Sequence, residues 1–146
     1  MHFIEKPFTP DSLAKKLHEV LQVVPHRRLS ILVVDDDESF RSYLCDALEE
    51  AGHAAFPASN GVDAWKLLKR LEVDHVITDL VMPYKDGIEL VAEIRRDWPA
   101  VGVIAMSGVD DALRYASKLF SDMIVLQKPV SPKDVVTAIE KLRSRE

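Results

Sequence analysis

Each of four short apolar runs in the chain is followed by an acidic, hydroxyl or amino side chain. These side chains are Asp35 and Asp36 after residues 31–34, Asp79 after residues 76–78, Ser107 after residues 103–106, and Lys128 after residues 123–127. If the runs are neighbouring strands of a parallel sheet, their polar ends meet at one edge of that sheet. Three carboxylates crowded there would repel one another, which would raise the proton affinity of at least one of them, unless a divalent cation and a lysine balance their charge. The pattern therefore predicts a magnesium site beside a single nucleophilic Asp, which indicates phosphoryl chemistry.

From Leu29 onward, short β-branched runs alternate with helical patterns, which is typical of successive βαβ units and a parallel sheet. The sequence predicts strands at residues 29–34, 54–58, 75–78, 102–106 and 123–127, and helices at residues 39–51, 61–70, 88–96, 111–120 and 132–143. The first helix should bury a stripe that includes Phe40, Tyr43 and Leu44. Five strands and five helices make a doubly wound α/β unit, which binds ligands beyond the carboxyl ends of its strands.

Length and composition limit the possible classes of protein. The 146 residues suit one compact domain with a segment left over, and 24 acidic against 19 basic side chains give a net charge of −5. This balance gives no reason to expect a nucleic-acid partner. No apolar run approaches the roughly 20 residues of a membrane span, and no signal-peptide pattern opens the chain, so we expect a cytoplasmic protein without a membrane partner. The single Cys45 cannot form an internal disulfide.

Four motifs of the sequence resemble the receiver domain of two-component response regulators. They are Ile-Leu-Val-Val-Asp-Asp-Asp at residues 31–37, Thr-Asp-Leu-Val-Met-Pro at 78–83 with Asp-Gly at 86–87, Met-Ser-Gly at 106–108, and Gln-Lys-Pro at 127–129. Their order and spacing match that family over about residues 29–143. The resemblance implies a flavodoxin-like fold, in which five parallel strands lie in the order 2-1-3-4-5.

The resemblance also implies a role for each polar residue at the strand ends. Asp79 would take a phosphoryl group from a phosphohistidine on a histidine kinase or a histidine phosphotransfer domain, while Ser107 and Lys128 hold the phosphoryl oxygens. The implied protein ligands of Mg²⁺ are Asp35, Asp36, the Asp79 carboxylate and the Val81 carbonyl. A domain of this kind catalyses only its own phosphorylation and dephosphorylation, so we do not expect an enzyme that acts on other substrates.

One position departs from the pattern of the family and bears on the output of the domain. Receivers commonly carry an aromatic residue three positions before the lysine, where this chain has Val125. The face made by the fourth helix, the fifth strand and the fifth helix would then switch without the rotation of an aromatic ring. We expect partners to bind this face, and a homodimer could form through it or through the N-terminal helix.

The beginning of the chain repeats the pattern of its end. Residues 3–13 align with residues 125–135, and a Lys-Pro pair falls on a Lys-Pro pair. We therefore interpret residues 1–28 as the C-terminal remnant of an upstream receiver, an extra strand-helix segment, followed by a linker. Residues 29–146 would be the receiver domain of a hybrid sensor kinase or tandem-receiver protein. The alternative is an ordinary N-terminal helix with a chance Lys-Pro pair.

Two other functions remain open from the sequence alone. A magnesium phosphohydrolase of the haloacid dehalogenase type also pairs a nucleophilic Asp with Mg²⁺ and Lys, and residues 35–39 resemble its signature with Asp35 as the nucleophile. A receiver-shaped interaction module that is never phosphorylated is the other alternative. The acidic run could also simply cap a helix, because Asp37 and Ser39 suit that position.

Overall fold

The structure is a computed structural model that describes residues 28–82 and 87–144. The strands of these residues are β1 Ser30–Val34, β2 Ala54–Ala58, β3 His75–Asp79, β4 Gly102–Ser107 and β5 Ile124–Gln127. The helices are α1 Glu38–Glu50, α2 Gly61–Arg70, α3 Gly87–Asp97, α4 Asp110–Leu119 and α5 Pro132–Arg143. The strands form one parallel sheet in the order β2-β1-β3-β4-β5. None of the described helices has the length and apolar character of a membrane span.

The predicted flavodoxin-like α/β fold is confirmed by the sheet order and by the five strands and five helices of the described residues. The predicted bounds differ from the observed ones by at most one residue, and β3 extends to include Asp79 itself. The predicted N-terminal strand-helix segment concerns residues 1–27, which lie outside the described residues. The division of the chain at residue 28 therefore stays a prediction.

Two apolar layers cover the sheet, because successive side chains of a strand point to opposite faces. One layer joins β1 and β3 to α2, α3 and α4 through Leu32, Val76, Leu68, Ile94 and Ala116. The other layer joins the same strands to α1 and α5 through Ile31, Ile77, Leu44, Leu48 and Ile139. A fully buried Leu or Ile side chain contributes roughly 1.5–3 kcal/mol relative to an exposed one. The central strands therefore hold the polar residues at their ends in fixed positions.

Side chains cap the N-termini of α1 and α5, the two helices of the second layer. The Asp37 carboxylate accepts a hydrogen bond from the Phe40 amide at 3.2 Å and starts α1. Ser131 and Asp134 form a reciprocal capping box at the start of α5. Gly52 ends the turn after α1 with a φ of 94°, in the left-handed region that favours glycine. Capping is thus the observed role of Asp37, but not of the two acids before it.

The buried stripe of α1 is narrower than predicted. Leu44 is fully buried and Phe40 is half-buried, but the Tyr43 side chain is 59% exposed. Adjacent helical residues point about 100° apart, so Tyr43 lies past the edge of the stripe that Leu44 centres. The prediction that Tyr43 is buried is wrong.

Candidate functional site

The polar residues at the strand ends lie side by side because the strands are parallel and nearly in register. Val34 at the end of β1 pairs with Thr78, the neighbour of Asp79 in β3. Asp79 pairs with Met106, and the next residue, Ser107, pairs with Gln127 of β5. Each polar residue therefore leaves the sheet at the same edge, as the sequence predicts.

Lys128 joins the ends of β1, β3 and β5. Its Nζ atom donates to Asp35 Oδ2 at 3.0 Å and to Asp79 Oδ2 at 2.9 Å. Asp35 is fully buried and Asp79 is 7% exposed. Residues that are 93 and 49 positions apart in the sequence thus meet in one ion-pair network.

The second oxygen of each buried carboxylate is held by the backbone just beyond its own strand. Asp35 Oδ1 accepts from the Asp37 amide at 2.9 Å, and Asp79 Oδ1 accepts from the Val81 amide at 3.1 Å. The two carboxylates therefore have matching arrangements, with one oxygen on a backbone N–H and the other on Lys128. Hydrogen bonds to ionised groups are stronger than those between neutral groups, so both side chains are fixed before any ligand arrives.

Asp36 completes a cluster of three carboxylates with Asp35 and Asp79. One oxygen from each of them lies within 4.8 Å of the others. Asp36 is exposed, whereas the other two are buried. Three carboxylates and one ammonium leave two negative charges without a counter-charge within this group.

Burial and pairing shift the proton affinities in this cluster. Burial raises the pKa of Asp35, against the lowering effects of the Asp37 amide and of Lys128. Burial also lowers the pKa of the Lys128 ammonium, but its hydrogen bonds to Asp79 and Asp35 outweigh burial, and the pKa is raised. Lys128 is therefore a permanent positive charge at physiological pH.

Ser107 lies at the end of β4 and is almost completely buried. Its hydroxyl oxygen accepts from the Val109 amide at 3.0 Å, and its carbonyl accepts from the Lys128 amide at 2.9 Å. Among the described residues, the Ser107 side chain makes no hydrogen bond to the three carboxylates. Its backbone nevertheless fixes where the Lys128 side chain begins.

Three further residues support the site and were not assigned this role from the sequence. The Phe40 ring lies beside the Lys128 ammonium, 5.1 Å from Nζ to the ring centroid. Arg41 Nη1 donates to the Asp35 carbonyl at 2.7 Å. Gly87 packs so closely on the backbone of residues 79 and 80 that a Cβ atom would collide with it. The Asp-Gly motif was a signal for Gly87, but Phe40 reads as an ordinary core position of an amphipathic helix.

Comparison with known proteins assigns the family. The family model of the response regulator receiver domain matches residues 31–140. The chain belongs to this family. It is 35% identical over 113 residues to the response regulator receiver protein CpdR of Brucella abortus, covering 77% of this chain and 94% of CpdR. It is also 35% identical to the chemotaxis protein CheY of Halobacterium salinarum, covering 75% of this chain and 92% of CheY.

Two further matches place the receiver domain in different contexts. The chain is 31% identical over 120 residues to the sensor kinase CckA of Brucella abortus, but spans 13% of that protein. A solved structure of the response regulator TrrA from Thermotoga maritima, in complex with Mg²⁺ and BeF, matches with a TM-score of 0.68 and 28% identity. That match covers 78% of this chain and 98% of the TrrA chain.

The receiver prediction is therefore confirmed, and the chain is a phosphoacceptor domain of two-component signalling. The findings give no support to the haloacid dehalogenase-type alternative or to an unphosphorylated module. The structure brings Asp35, Asp36, Asp79 and Lys128 together and puts Ser107 on the adjoining strand end.

Proposed function

We propose that this receiver domain accepts a phosphoryl group on the Asp79 carboxylate in a Mg²⁺-dependent reaction. The donor would be a phosphohistidine on a histidine kinase or a histidine phosphotransfer domain. The observation that carries the proposal is the Lys128 ammonium, which bridges the carboxylates of Asp35 and Asp79 at 3.0 and 2.9 Å. A fixed cation beside a carboxylate is what phosphoryl transfer needs, because its catalysis is mostly positioning and charge neutralisation.

Exposure supports Asp79 over Asp35 as the nucleophile. The hydrogen bonds of the two carboxylates are alike, since each bonds one backbone amide and Lys128. The Asp35 side chain is completely buried, whereas the Asp79 side chain keeps 9% of its surface exposed. A bulky donor needs access to the attacking oxygen, so the same comparison argues against Asp35 as a phosphohydrolase nucleophile.

The donor set fits Mg²⁺. This ion prefers oxygen ligands and usually keeps several waters, so it is bound through few protein groups. The carboxylates of Asp35, Asp36 and Asp79 meet within 4.8 Å and carry two uncompensated negative charges. These three side chains and the Val81 carbonyl would hold the ion. When bound, Mg²⁺ would neutralise charge on the oxygens of the transferred phosphoryl group.

The residues of the chain then have distinct tasks in the transfer. An Asp79 carboxylate oxygen attacks phosphorus in line, the phosphorus–nitrogen bond to the donor imidazole breaks, and the imidazole leaves with the electron pair of that bond. Lys128 gives one phosphoryl oxygen a positive charge that is already in place, so little reorganisation is needed. The Ser107 hydroxyl, at the neighbouring strand end, would donate to a second oxygen.

Small-molecule phosphorylation tests this proposal directly. The protein is incubated with Mg²⁺ and acetyl phosphate, and intact-mass measurement is expected to show one added phosphoryl group, which borohydride reduction maps to Asp79. Asp79→Asn should remove the addition. A phosphoryl group mapped to Asp35, together with continuing release of phosphate, would indicate the phosphohydrolase. If the unmodified protein gains no phosphoryl group, it is an unphosphorylated interaction module.

We also propose that α4, β5 and α5 form the face for partners or for a homodimer. Apolar side chains are exposed on α4, just before it and on β5, namely Val109, Tyr115, Leu119 and Val125. Exposed apolar residues in one region favour protein contacts. Sedimentation of the beryllofluoride-treated protein and of Tyr115→Glu would test this face, and removal of residues 1–27 would test the N-terminal segment as the alternative.

A cytoplasmic location is part of the proposal. The single Cys45, which is free, fits a compartment in which disulfides are not used. Fractionation of cells that express the native protein would test it.

A further inference from the structure

Besides its two carboxylates, the Lys128 ammonium has an aromatic neighbour. Its Nζ atom lies 5.1 Å from the centroid of the Phe40 ring. A cation is attracted to an aromatic face within about 6 Å, by the quadrupole of the ring. The Lys128 side chain is 28% exposed, so this attraction is only partly screened by water. The ring therefore closes one side of the ammonium.

The position of the Phe40 ring is tied to the acidic cluster by a short chain of hydrogen bonds. Asp37 donates its amide to Asp35 Oδ1 and accepts the Phe40 amide on its own carboxylate, at 2.9 and 3.2 Å. The Phe40 side chain also packs against the apolar layer that contains Leu44. The same turn that fixes Asp35 thus sets where the ring stands.

The ring differs from the carboxylates in having no second task. In the proposed function, Asp79 carries the phosphoryl group and Asp35 holds the metal ion, so Lys128 must leave its carboxylate partners to reach a phosphoryl oxygen. Lysine is a point charge on a flexible four-carbon stem and could then turn toward solvent. The Phe40 face remains in place whatever the carboxylates bind.

We infer that Phe40 is a positioning residue, whose ring holds the Lys128 ammonium in the phosphoacceptor pocket. The inference rests on the proposed function and adds a residue to it. Phe40→Leu keeps an apolar side chain but removes the aromatic face. Because a partly exposed cation–π contact is modest, we expect phosphorylation by acetyl phosphate to slow about 3- to 10-fold. Phe40→Tyr, which retains the face, should stay within about 2-fold of the unmodified protein.

A measurement without metal or phosphodonor tests the contact itself. In NMR spectra, the Lys128 ε-methylene signal, assigned by its loss in Lys128→Arg, should lie upfield because of the ring current. The shift should disappear in Phe40→Leu and persist in Phe40→Tyr. Tyr43→Leu is the matched control, since this aromatic residue of the same helix is exposed. It should leave both the signal and the phosphorylation rate unchanged.

A double-mutant cycle separates a positioning role from a general packing role. In a Lys128→Met background, Phe40→Leu should cause no further loss of phosphorylation rate. An equal loss in that background, or a Phe40→Leu protein as fast as the unmodified one, would overturn the inference. If the unmodified protein takes no phosphoryl group at all, the proposed function fails, whereas the NMR signal still reports on the contact.

Discussion

The two ends of the sheet both bury polar side chains, but they treat charge differently. At the carboxyl end, the acidic cluster of Asp35, Asp36 and Asp79 meets a single lysine, and two negative charges are left over. At the opposite end, the polar groups bond mostly to nearby backbone. Asp74 Oδ2 accepts from the Ser30 amide at 2.8 Å, and His53 Nδ1 accepts from the Leu29 amide at 3.3 Å.

Arg95 shows the same behaviour at the opposite end. Its Nη1 donates to the Val101 carbonyl at 2.7 Å, and its Nε lies 3.4 Å from Asp122 Oδ1. These bonds hold the starts of strands and the loops before them, and the Asp122 carboxylate balances the charge of Arg95. Burial of polar groups is therefore not by itself a sign of function, whereas carboxylates that outnumber the cations beside them suit the binding of a further cation.

Removing a positive charge at each end of the sheet should give the largest difference in phosphorylation rate. Lys128→Met takes away the preorganised cation of the phosphoacceptor pocket, and we expect the rate of phosphorylation by acetyl phosphate to fall about 100-fold or more. Arg95→Met, at the other end, should keep the rate within about 2-fold while lowering stability. Equal loss of rate in the two variants would contradict the division between the ends.

Two glycines allow a matched steric test of the same division. A Cβ atom on Gly87 would meet the Asp79 carbonyl oxygen and lie 2.6 Å from Leu80 Cα, both backbone atoms that can shift only if the chain moves with them. We expect Gly87→Ala to cost about 3 kcal/mol of unfolding free energy and to slow phosphorylation, because Asp79 must move.

A Cβ atom on Gly102 would instead meet the His75 ring and lie 3.1 Å from Leu142 Cδ1, both parts of side chains that can shift. Gly102→Ala should therefore cost only about 1–2 kcal/mol and leave the phosphorylation rate unchanged. Urea unfolding and acetyl phosphate kinetics check both variants. A slower reaction in Gly102→Ala would show that the two ends are coupled.

The sequence predicts the carboxyl end of the sheet well for a physical reason. Parallel strands bring their ends to one edge, so motifs at the ends of β1, β3, β4 and β5 must converge on that edge. The grouping of Asp35, Asp79 and Lys128 follows from that rule. The apolar runs also locate β1, β3 and β4 to within one residue, because strands buried on both faces show little alternation of polar and apolar residues.

Other contacts could not be predicted, because they depend on how elements pack. Phe40 and Tyr43 occupy similar positions in a helical pattern, yet one reaches the lysine and the other is exposed. His53 lies in a short connection and bonds a residue 24 positions away. Nothing in the local pattern distinguishes such residues, because the sequence of one helix or strand does not determine how closely it packs against another.

Magnesium should stabilise the folded protein through the carboxyl end of the sheet and not through the opposite end. A ligand that binds only the folded state, present at ten times its dissociation constant, adds about 1.4 kcal/mol. We expect Mg²⁺ to raise the thermal midpoint by about 3–6 °C, and its removal by EDTA to reverse the change. Asp35→Asn and Asp36→Asn should lose this increment, whereas Asp74→Asn should keep it. An increment that survives in both of the first two variants would exclude the acidic cluster as the site.

The smallest expected effect is a pH dependence at the opposite end. Burial lowers the pKa of His53, and the nearby positive charge of Arg143 lowers it further. In the unfolded chain an ordinary histidine has a pKa of about 6.5, so below that pH the unfolded state binds more protons than the folded state. The contribution of His53 to stability is therefore complete above about pH 6.5 and is lost as the pH falls toward its folded-state pKa.

Protonation would also abolish the hydrogen bond that His53 Nδ1 accepts from the Leu29 amide, at the start of β1. His53→Gln can still accept that bond but does not titrate. Urea unfolding between pH 7.5 and 5.5 should show a smaller loss of stability in the variant than in the unmodified protein. Parallel curves would mean that His53 is not the group responsible. Because the affected bond ties down the beginning of β1 rather than Asp35 at its end, the loss should reach phosphorylation only through global unfolding.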